Sequence, residues 1–155
     1  MIAQDGLTLS GLTVEYTGVN NGNRFVCAAK PIPKDDMFYY EVTISALTYA
    51  SIGFATNQMP ERAIEGVRQN TYEYDNFGNG VKSREFVVGD VVGCGVNFKT
   101  GKFFYTKKGE LLHTANLPDD SAVALYPCIK LRYGTKIGVN FGSKGFNFRR
   151  FNDVI

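Results

Sequence analysis

The chain has 155 residues, 21% of them charged, and its 17 lysines and arginines against 15 acidic residues leave a net charge of +2. This length suits a single domain over residues 1–155, long enough to bury roughly two-thirds of the surface that the unfolded chain exposes. Because the charge is spread without a basic block and no apolar run approaches ~20 residues, neither a nucleic-acid surface nor a membrane span is expected.

Short strands separated by turns are predicted in the first third of the chain. These strands are Leu7–Leu9, Thr13–Tyr16, Arg24–Ala29, Met37–Ala46 and Ser51–Thr56. Thr17–Asn23 is a predicted loop, since its Gly and Asn residues tolerate positive φ and compete with regular structure. Met37–Ala46 shows the clearest alternation of apolar and polar residues, and Ser51–Thr56 is expected to pair beside it.

Regular alternation is lost between residues 57 and 84. Gln58–Ile64 predicts one helical turn at most, and Thr71–Tyr74 predicts a short aromatic strand. Asn76–Gly80 is a cluster of turn residues. Most of this region is therefore predicted to be loop.

A central stretch, Gly89–Gly109, predicts a three-stranded meander. In its first strand Val92, Cys94 and Val96 share one face, while the other face carries Gly93 and Gly95. Glycines within a strand are most often found where another part of the protein approaches closely. We therefore expect this strand to be covered on both faces, with Lys107–Gly109 as a hairpin turn whose glycine takes positive φ.

The last third completes the pattern. Val123–Leu131 predicts a strand, and its Pro127 indicates an edge position or a bulge because proline donates no ladder hydrogen bond. A further strand covers residues 136–141, and Phe146, Phe148 and Phe151 are expected to plug one end of the core. About a dozen short strands with almost no helical periodicity predict an all-β sandwich of two antiparallel sheets with little helix.

Catalytic and metal-binding patterns are missing from the sequence. His113 is the single histidine and lies at a predicted strand end, so nucleophilic catalysis that uses it is not expected. Cys27, Cys94 and Cys128 lie far apart in apolar stretches, which predicts three free, buried cysteines rather than a disulfide or a zinc site. Together with the absence of any Asn-x-Ser/Thr sequon, this favours a reducing compartment. We expect no catalytic residue, no metal and no cofactor.

Six blocks, in chain order, resemble the signature of a known family. They are Phe38–Val42, Ile52–Thr56, Gly89–Phe98, Phe104–Gly109, Leu125–Pro127 and Val139–Gly142. They resemble the SPRY domain, over nearly the whole chain. A closer similarity, to its Ran-binding-protein-like branch and to the secreted SPRY effectors (SPRYSEC) of plant-parasitic cyst nematodes, rests on four further stretches. These are Ala55–Pro60, Asp90–Asn97, Thr114–Leu117 with Asp120–Ala122, and Gly134–Ile137.

The resemblance implies a bent, monomeric β-sandwich whose loops at one end bind a short peptide or a folded partner. The effector similarity implies a virulence protein secreted by the parasite, with a signal peptide that this sequence does not begin with. It would act in the host cytoplasm, with the nucleus as a further destination. Its partners would be host plant proteins, such as immune receptors or ubiquitin and signalling components, through which it modulates host immunity.

The predicted binding residues lie in three loops and combine tyrosine, arginine and adaptable polar groups. They are Asn20, Asn21, Val67, Arg68, Tyr72, Arg132, Tyr133 and Gly134. The pair Tyr133–Gly134 matches the aromatic-glycine pair that lines the peptide pocket in the family. SPRY domains commonly carry tryptophan near residues 71–75, where this chain has Tyr72 and Tyr74, so the chain departs from the family pattern at these positions.

Two other functions fit the same sequence. The domain could be the substrate-recognition part of a ubiquitin-ligase adaptor or a Ran-binding-like scaffold. It could also be a carbohydrate-binding, lectin-like sandwich, as its tyrosines and asparagines suggest. A secretory leader in the full-length precursor would favour the effector, a downstream helical or RING-type domain would favour the adaptor, and a glycan array would test the lectin.

Overall fold

The computed structural model describes residues 1–34, 37–56, 71–78, 85–117 and 124–151. These residues form twelve strands, which confirms the predicted all-β class. The first six are β1 (Ile2–Ala3), β2 (Leu7–Ser10), β3 (Thr13–Tyr16), β4 (Arg24–Cys27), β5 (Met37–Ala46) and β6 (Ala50–Ala55). The others are β7 (Thr71–Asp75), β8 (Val91–Asn97), β9 (Lys102–Lys107), β10 (Glu110–Asn116), β11 (Tyr126–Leu131) and β12 (Lys136–Asn140). In the described part of the chain no helix has the length and apolar character to cross a membrane.

The strands form two antiparallel sheets that face each other. The smaller has five strands in the order β1-β4-β11-β6-β7, and the larger has seven in the order β10-β9-β8-β5-β12-β3-β2. The predicted meander is β8, β9 and β10 at one edge of the larger sheet, and its turn has positive φ at both Lys108 (51°) and Gly109 (80°). The main core between the sheets includes Tyr40, Val42, Val92 and Val96, all fully buried.

The glycine face of β8 is covered, as its sequence predicts. A methyl group at Gly93 would clash with the Tyr39 hydroxyl, and one at Gly95 would clash with the ring of Phe104. Both rings lie on the outer face of the larger sheet, where they pack with Phe148. The glycines of β8 therefore make room for a layer of aromatic side chains outside the sandwich core.

The C-terminal phenylalanines form this outer layer, so the expected plug at one end of the core is wrong. Phe146 and Phe151 pack against the same cluster as Phe148, which is separate from the main core. We call residues 146–151 the aromatic tail. Phenylalanine is equally suited to an inner or an outer apolar surface, and the spacing of these three residues does not distinguish the two.

Two predicted strand positions are also wrong. β6 does not pair beside β5: it lies in the smaller sheet between β11 and β7, because Leu47–Tyr49 carries the chain across to that sheet. β11 is an interior strand despite Pro127. Pro127 is opposite Phe54 of β6, and its carbonyl accepts from Ala28 N just beyond the end of β4. Since N–H and C=O of one residue point to the same side, the missing donor faces the end of β4 and leaves the pairing with β6 unaffected.

The expectation of three free cysteines is contradicted by a disulfide between Cys27 and Cys128. These residues are directly opposite each other on β4 and β11, with Cα atoms 4.2 Å apart, on the outer face of the smaller sheet. The sequence did not indicate this pair because the two cysteines are 101 positions apart. Cys94 is free and buried, as predicted.

Candidate functional site

Several loops meet at one end of the sandwich, because the strands that carry them end in register. Leu131 of β11 is opposite Arg24 on one side and Ala50 on the other, and Asp75 of β7 is opposite Ser51. The segment before β8 joins them through Phe86 N, which donates to Asn76 O at 3.3 Å. We call this surface the rim, which comprises residues 19–23, 47–49, 76–78, 85–90 and 132–135.

A buried arginine holds the first loop of the rim. Arg24 is 5% exposed and donates to the backbone carbonyls of Asp5 (2.9 Å), Asn23 (3.0 Å) and Asn21. Its guanidinium lies 5.3 Å from the ring centroid of Tyr16. The Tyr16 hydroxyl donates to Val19 O at 2.8 Å and accepts from Asn21 N at 3.2 Å. The loop backbone is therefore fixed, and the side chains of Asn20 and Asn21 are left exposed.

The loop between β11 and β12 packs against the first. Arg132 Nε donates to Asn23 Oδ1 at 3.0 Å, and the Tyr133 ring meets the Tyr16 ring edge-on at 5.8 Å. The carbonyl of Tyr133 accepts from Thr48 Oγ1 at 2.7 Å. Gly134 has a φ of 89°, which explains the glycine after this tyrosine, since an L side chain would be strained there.

Tyr49 links this loop to the end of β7. The guanidinium of Arg132 lies 4.4 Å from the ring centroid of Tyr49, and the Tyr49 hydroxyl donates to Asp75 Oδ2 at 3.3 Å. Burial, reinforced by the carboxylates of Asp75 and Glu73, raises the pKa of Tyr49 to about 12. The phenol therefore stays protonated near neutral pH and keeps its bond to Asp75.

The rim also collects the most exposed large apolar side chains of the described residues. They are Val19 (78%), Val87 (61%), Phe77 (60%), Val88 (55%) and Tyr133 (44%). Exposed apolar side chains scattered singly over a surface are ordinary, but a group at one end of a domain indicates an interaction surface.

The structure brings five of the eight predicted binding residues into the rim: Asn20, Asn21, Arg132, Tyr133 and Gly134. Val67 and Arg68 lie outside the described residues, as does the predicted turn Gln58–Ile64. Tyr72 is opposite Phe54, four residues along β6 from Ala50, so its backbone is about 13 Å from the rim end of that strand.

Sequence reasoning missed Tyr49, Phe77, Val87 and Val88. Phe77 offered a signal, since it is an apolar residue inside a predicted cluster of turn residues. Val87 and Val88 come just before the predicted meander, and an apolar pair beside a strand gives no local signal that it is exposed.

The described residues offer little for catalysis. They contain no group of three or more His, Cys, Asp or Glu side chains that could hold a metal ion. Burial raises the pKa of the Cys94 thiol well above its usual range, which disfavours a thiolate nucleophile. His113 is exposed on β10, an edge strand of the larger sheet, and is not one of the rim residues.

Comparisons with known proteins agree with this geometry. The SPRY domain family matches residues 37–144. The chain is 32% identical to "Ran-binding proteins 9/10 homolog" of Drosophila melanogaster over 97% of its own length and 17% of that protein. It is 31% identical to "Ran-binding protein 10" of Danio rerio over 92% of its length and 26% of that protein. The chain thus spans less than a third of these curated relatives.

A solved structure shows the same fold. The SPRY domain of human HERC1 superposes with a TM-score of 0.72 at 18% identity, over 92% of this chain and 96% of that domain. At this identity the likeness concerns the fold.

Proposed function

The chain belongs to the SPRY domain family, whose fold is a protein-interaction module, and we propose that its rim is the surface that binds a partner protein. The observation that carries this proposal is the clustering of five exposed apolar side chains on loops with a fixed backbone. A surface that is rigid before binding loses less conformational entropy when a partner docks, and it therefore retains more of the contact energy.

The side chains of the rim are the types that contribute most to protein interfaces. Tyr133 and Arg132 combine apolar contact area with hydrogen-bonding groups, and such residues dominate measured hot spots. Asn20 and Asn21 add adaptable donors and acceptors beside them. The partner is either a short peptide laid across Tyr133 or a folded protein that also covers Phe77 and Val87.

Replacing Tyr133 by alanine tests the proposal. We expect Tyr133→Ala to abolish partner capture while the free energy of unfolding changes by about 1 kcal/mol or less, because the ring is 44% exposed. The measurement compares proteins captured by wild type and variant in quantitative mass spectrometry, with urea unfolding alongside.

Leu9→Ala is the matched control, since Leu9 is an apolar side chain of similar exposure (39%) on β2, outside the rim. Partners lost from Tyr133→Ala and retained by Leu9→Ala would be rim partners. An unchanged set of partners in Tyr133→Ala would refute the proposal, and an equal loss of folding and binding would make Tyr133 a structural residue.

The named relatives favour a Ran-binding-like scaffold over a secreted effector. Both are Ran-binding proteins or their homologues, so we favour a scaffold or substrate-recognition domain of the Ran-binding-like kind. A secreted effector that binds host plant proteins and modulates immunity stays a prediction from sequence resemblance. The full-length precursor separates the two, because a secretory leader is expected only for the effector.

A further inference from the structure

Asn21 and Gly22, at the tip of the first rim loop, form an asparagine-glycine pair whose main chain is contacted by a buried guanidinium. We propose that Asn21 is a self-modification site, at which the side-chain amide is converted to a carboxylate with the assistance of Arg24. The reaction is intramolecular and needs only water.

The loop leaves the reacting groups accessible. Asn21 and Gly22 are exposed, and a Cβ built at Gly22 would meet no atom within 4 Å. Among the described residues, none hydrogen-bonds the Asn21 side-chain amide or the Gly22 N–H. The Asn21 side chain can therefore turn its Cγ towards the backbone nitrogen of Gly22 while the main chain stays in place, without displacing a partner or another side chain.

Arg24 is placed to activate the attacking nitrogen. Its Nη1 donates to the carbonyl oxygen of Asn21, which belongs to the same peptide group as the N–H of Gly22. A cation that hydrogen-bonds this oxygen stabilises the anion formed when the N–H loses its proton, because the negative charge is shared between nitrogen and oxygen. Arg24 is 5% exposed, and a less solvated guanidinium interacts more strongly with this charge.

The chemistry balances as follows. The Gly22 nitrogen loses a proton to solvent and forms a bond to Cγ of Asn21, and the side-chain nitrogen leaves as ammonia after it takes up a proton. The resulting five-membered imide then adds water and opens at one of its two carbonyls. Opening gives aspartate or isoaspartate at position 21, with no oxidation or reduction.

Both products change the rim. Each adds a negative charge to a loop that projects neutral asparagines, and isoaspartate also places an extra methylene in the main chain. In isoaspartate the main chain runs through Cβ and Cγ, and the carbonyl that accepts from Arg24 becomes part of the free carboxylate, so the bond to Arg24 would no longer hold the main chain of the loop. This consequence for partner binding rests on the proposed function, whereas the reaction itself does not.

The rate in the folded protein tests the reaction. The protein would carry Asn79→Gln, which removes the second asparagine-glycine pair, Asn79–Gly80. Fragment masses then report the replacement of amide by carboxylate at residue 21. We expect the folded protein to react roughly tenfold faster than a synthetic peptide of residues 17–25 in the same buffer, the effect that one charge-assisted hydrogen bond can supply. An equal or slower rate in the folded protein would overturn the proposal.

Two variants test the role of Arg24 in the reaction and the effect of the product on binding. Arg24→Lys, checked for folding by its thermal transition, should lower the folded-state rate towards that of the peptide, and an unchanged rate would remove Arg24 from the mechanism. Asn21→Asp mimics one product and should weaken the partner capture that Tyr133→Ala abolishes. Capture that survives in Asn21→Asp would contradict the effect on binding, even where the mass measurements establish the reaction.

Discussion

The rim and the outer face of the larger sheet are both rich in aromatic rings, but the two regions hold them in opposite ways. On the rim, Phe77 and Tyr133 are exposed at the ends of loops. On the outer face of the larger sheet, Tyr39 (6%) and Phe104 (1%) are buried against Phe148 (0%) of the aromatic tail. The rings of this cluster therefore stabilise the fold, while those of the rim remain available to a partner.

The buried charged groups of the two regions also have different roles: one fastens the aromatic tail to the sheet, and the other holds the backbone of a loop. Glu41 is 4% exposed and accepts from Tyr39 Oη at 2.7 Å, Asn147 N at 2.8 Å and Phe148 N at 2.9 Å, so it fastens the tail to the sheet. Burial, with a contribution from Glu41, raises the pKa of Tyr39 and keeps its phenol a donor. On the rim, Arg24 bonds to loop carbonyls and leaves the side chains above it exposed.

Phe148→Ala and Phe77→Ala form the pair that tests this comparison most strongly. Removing the fully buried ring of Phe148 should lower the free energy of unfolding by about 3–5 kcal/mol, because a cavity is left beside Tyr39 and Phe104. Removing the exposed ring of Phe77 should change it by about 0.5 kcal/mol or less. Urea unfolding measures both, and similar losses in the two variants would contradict the assigned roles.

The disulfide sharpens the comparison, because it joins the two strands that lead into the rim loops but lies away from the rim itself. Reducing Cys27–Cys128 should lower the free energy of unfolding by about 2–5 kcal/mol, since the bond closes a loop between cysteines 101 positions apart. Partner capture at a temperature where the reduced protein stays folded should be unchanged.

Denaturant unfolding with and without reductant measures this effect, and a Cys27→Ala/Cys128→Ala variant is the control. That variant should be as stable with reductant as without it. If the unfolding midpoint of the wild type is the same with and without reductant, the two thiols are not linked in solution.

The parts of the fold that could be predicted from the sequence are those in which a local pattern of residue types determines the structure. The alternation of Met37–Ala46 predicted β5 with its correct bounds. Gly93 and Gly95 predicted that side chains cover the outer face of β8. The loop Val19–Asn23 and the pair Tyr133–Gly134 gave much of the rim, because positive φ and exposed tyrosine leave a local signal.

What could not be predicted depends on pairing between distant segments. All six residues of β6 are buried, so the strand has no exposed face by which to assign it to a sheet. The register of β4 against β11 decides whether Cys27 meets Cys128, and no local pattern encodes that register. Phe77 and Val87 belong to the rim only because the ends of β5, β6 and β7 meet there.

Tyr49 gives the smallest expected effect, a dependence of stability on pH at the base of the rim. Burial and the nearby carboxylates raise its pKa to about 12 in the folded protein, above the ordinary tyrosine value of about 10. Because the folded value is the higher one, this contribution is fully present below about pH 10 and is lost as pH rises towards 12.

We expect wild type to lose about 1 kcal/mol of stability relative to Tyr49→Phe between pH 10 and 12, a small amount because solvent near the ring screens both carboxylates. Urea unfolding of both proteins over this range measures the difference, and the other tyrosines contribute equally to each. Parallel pH profiles would mean that the Tyr49 phenol is solvated in the folded protein. The rim would then lack the bond to Asp75 that holds the ring beneath Arg132, and its preformed geometry would rest on Arg24 and Tyr16 in the first loop and on the bond from Thr48 to the Tyr133 carbonyl.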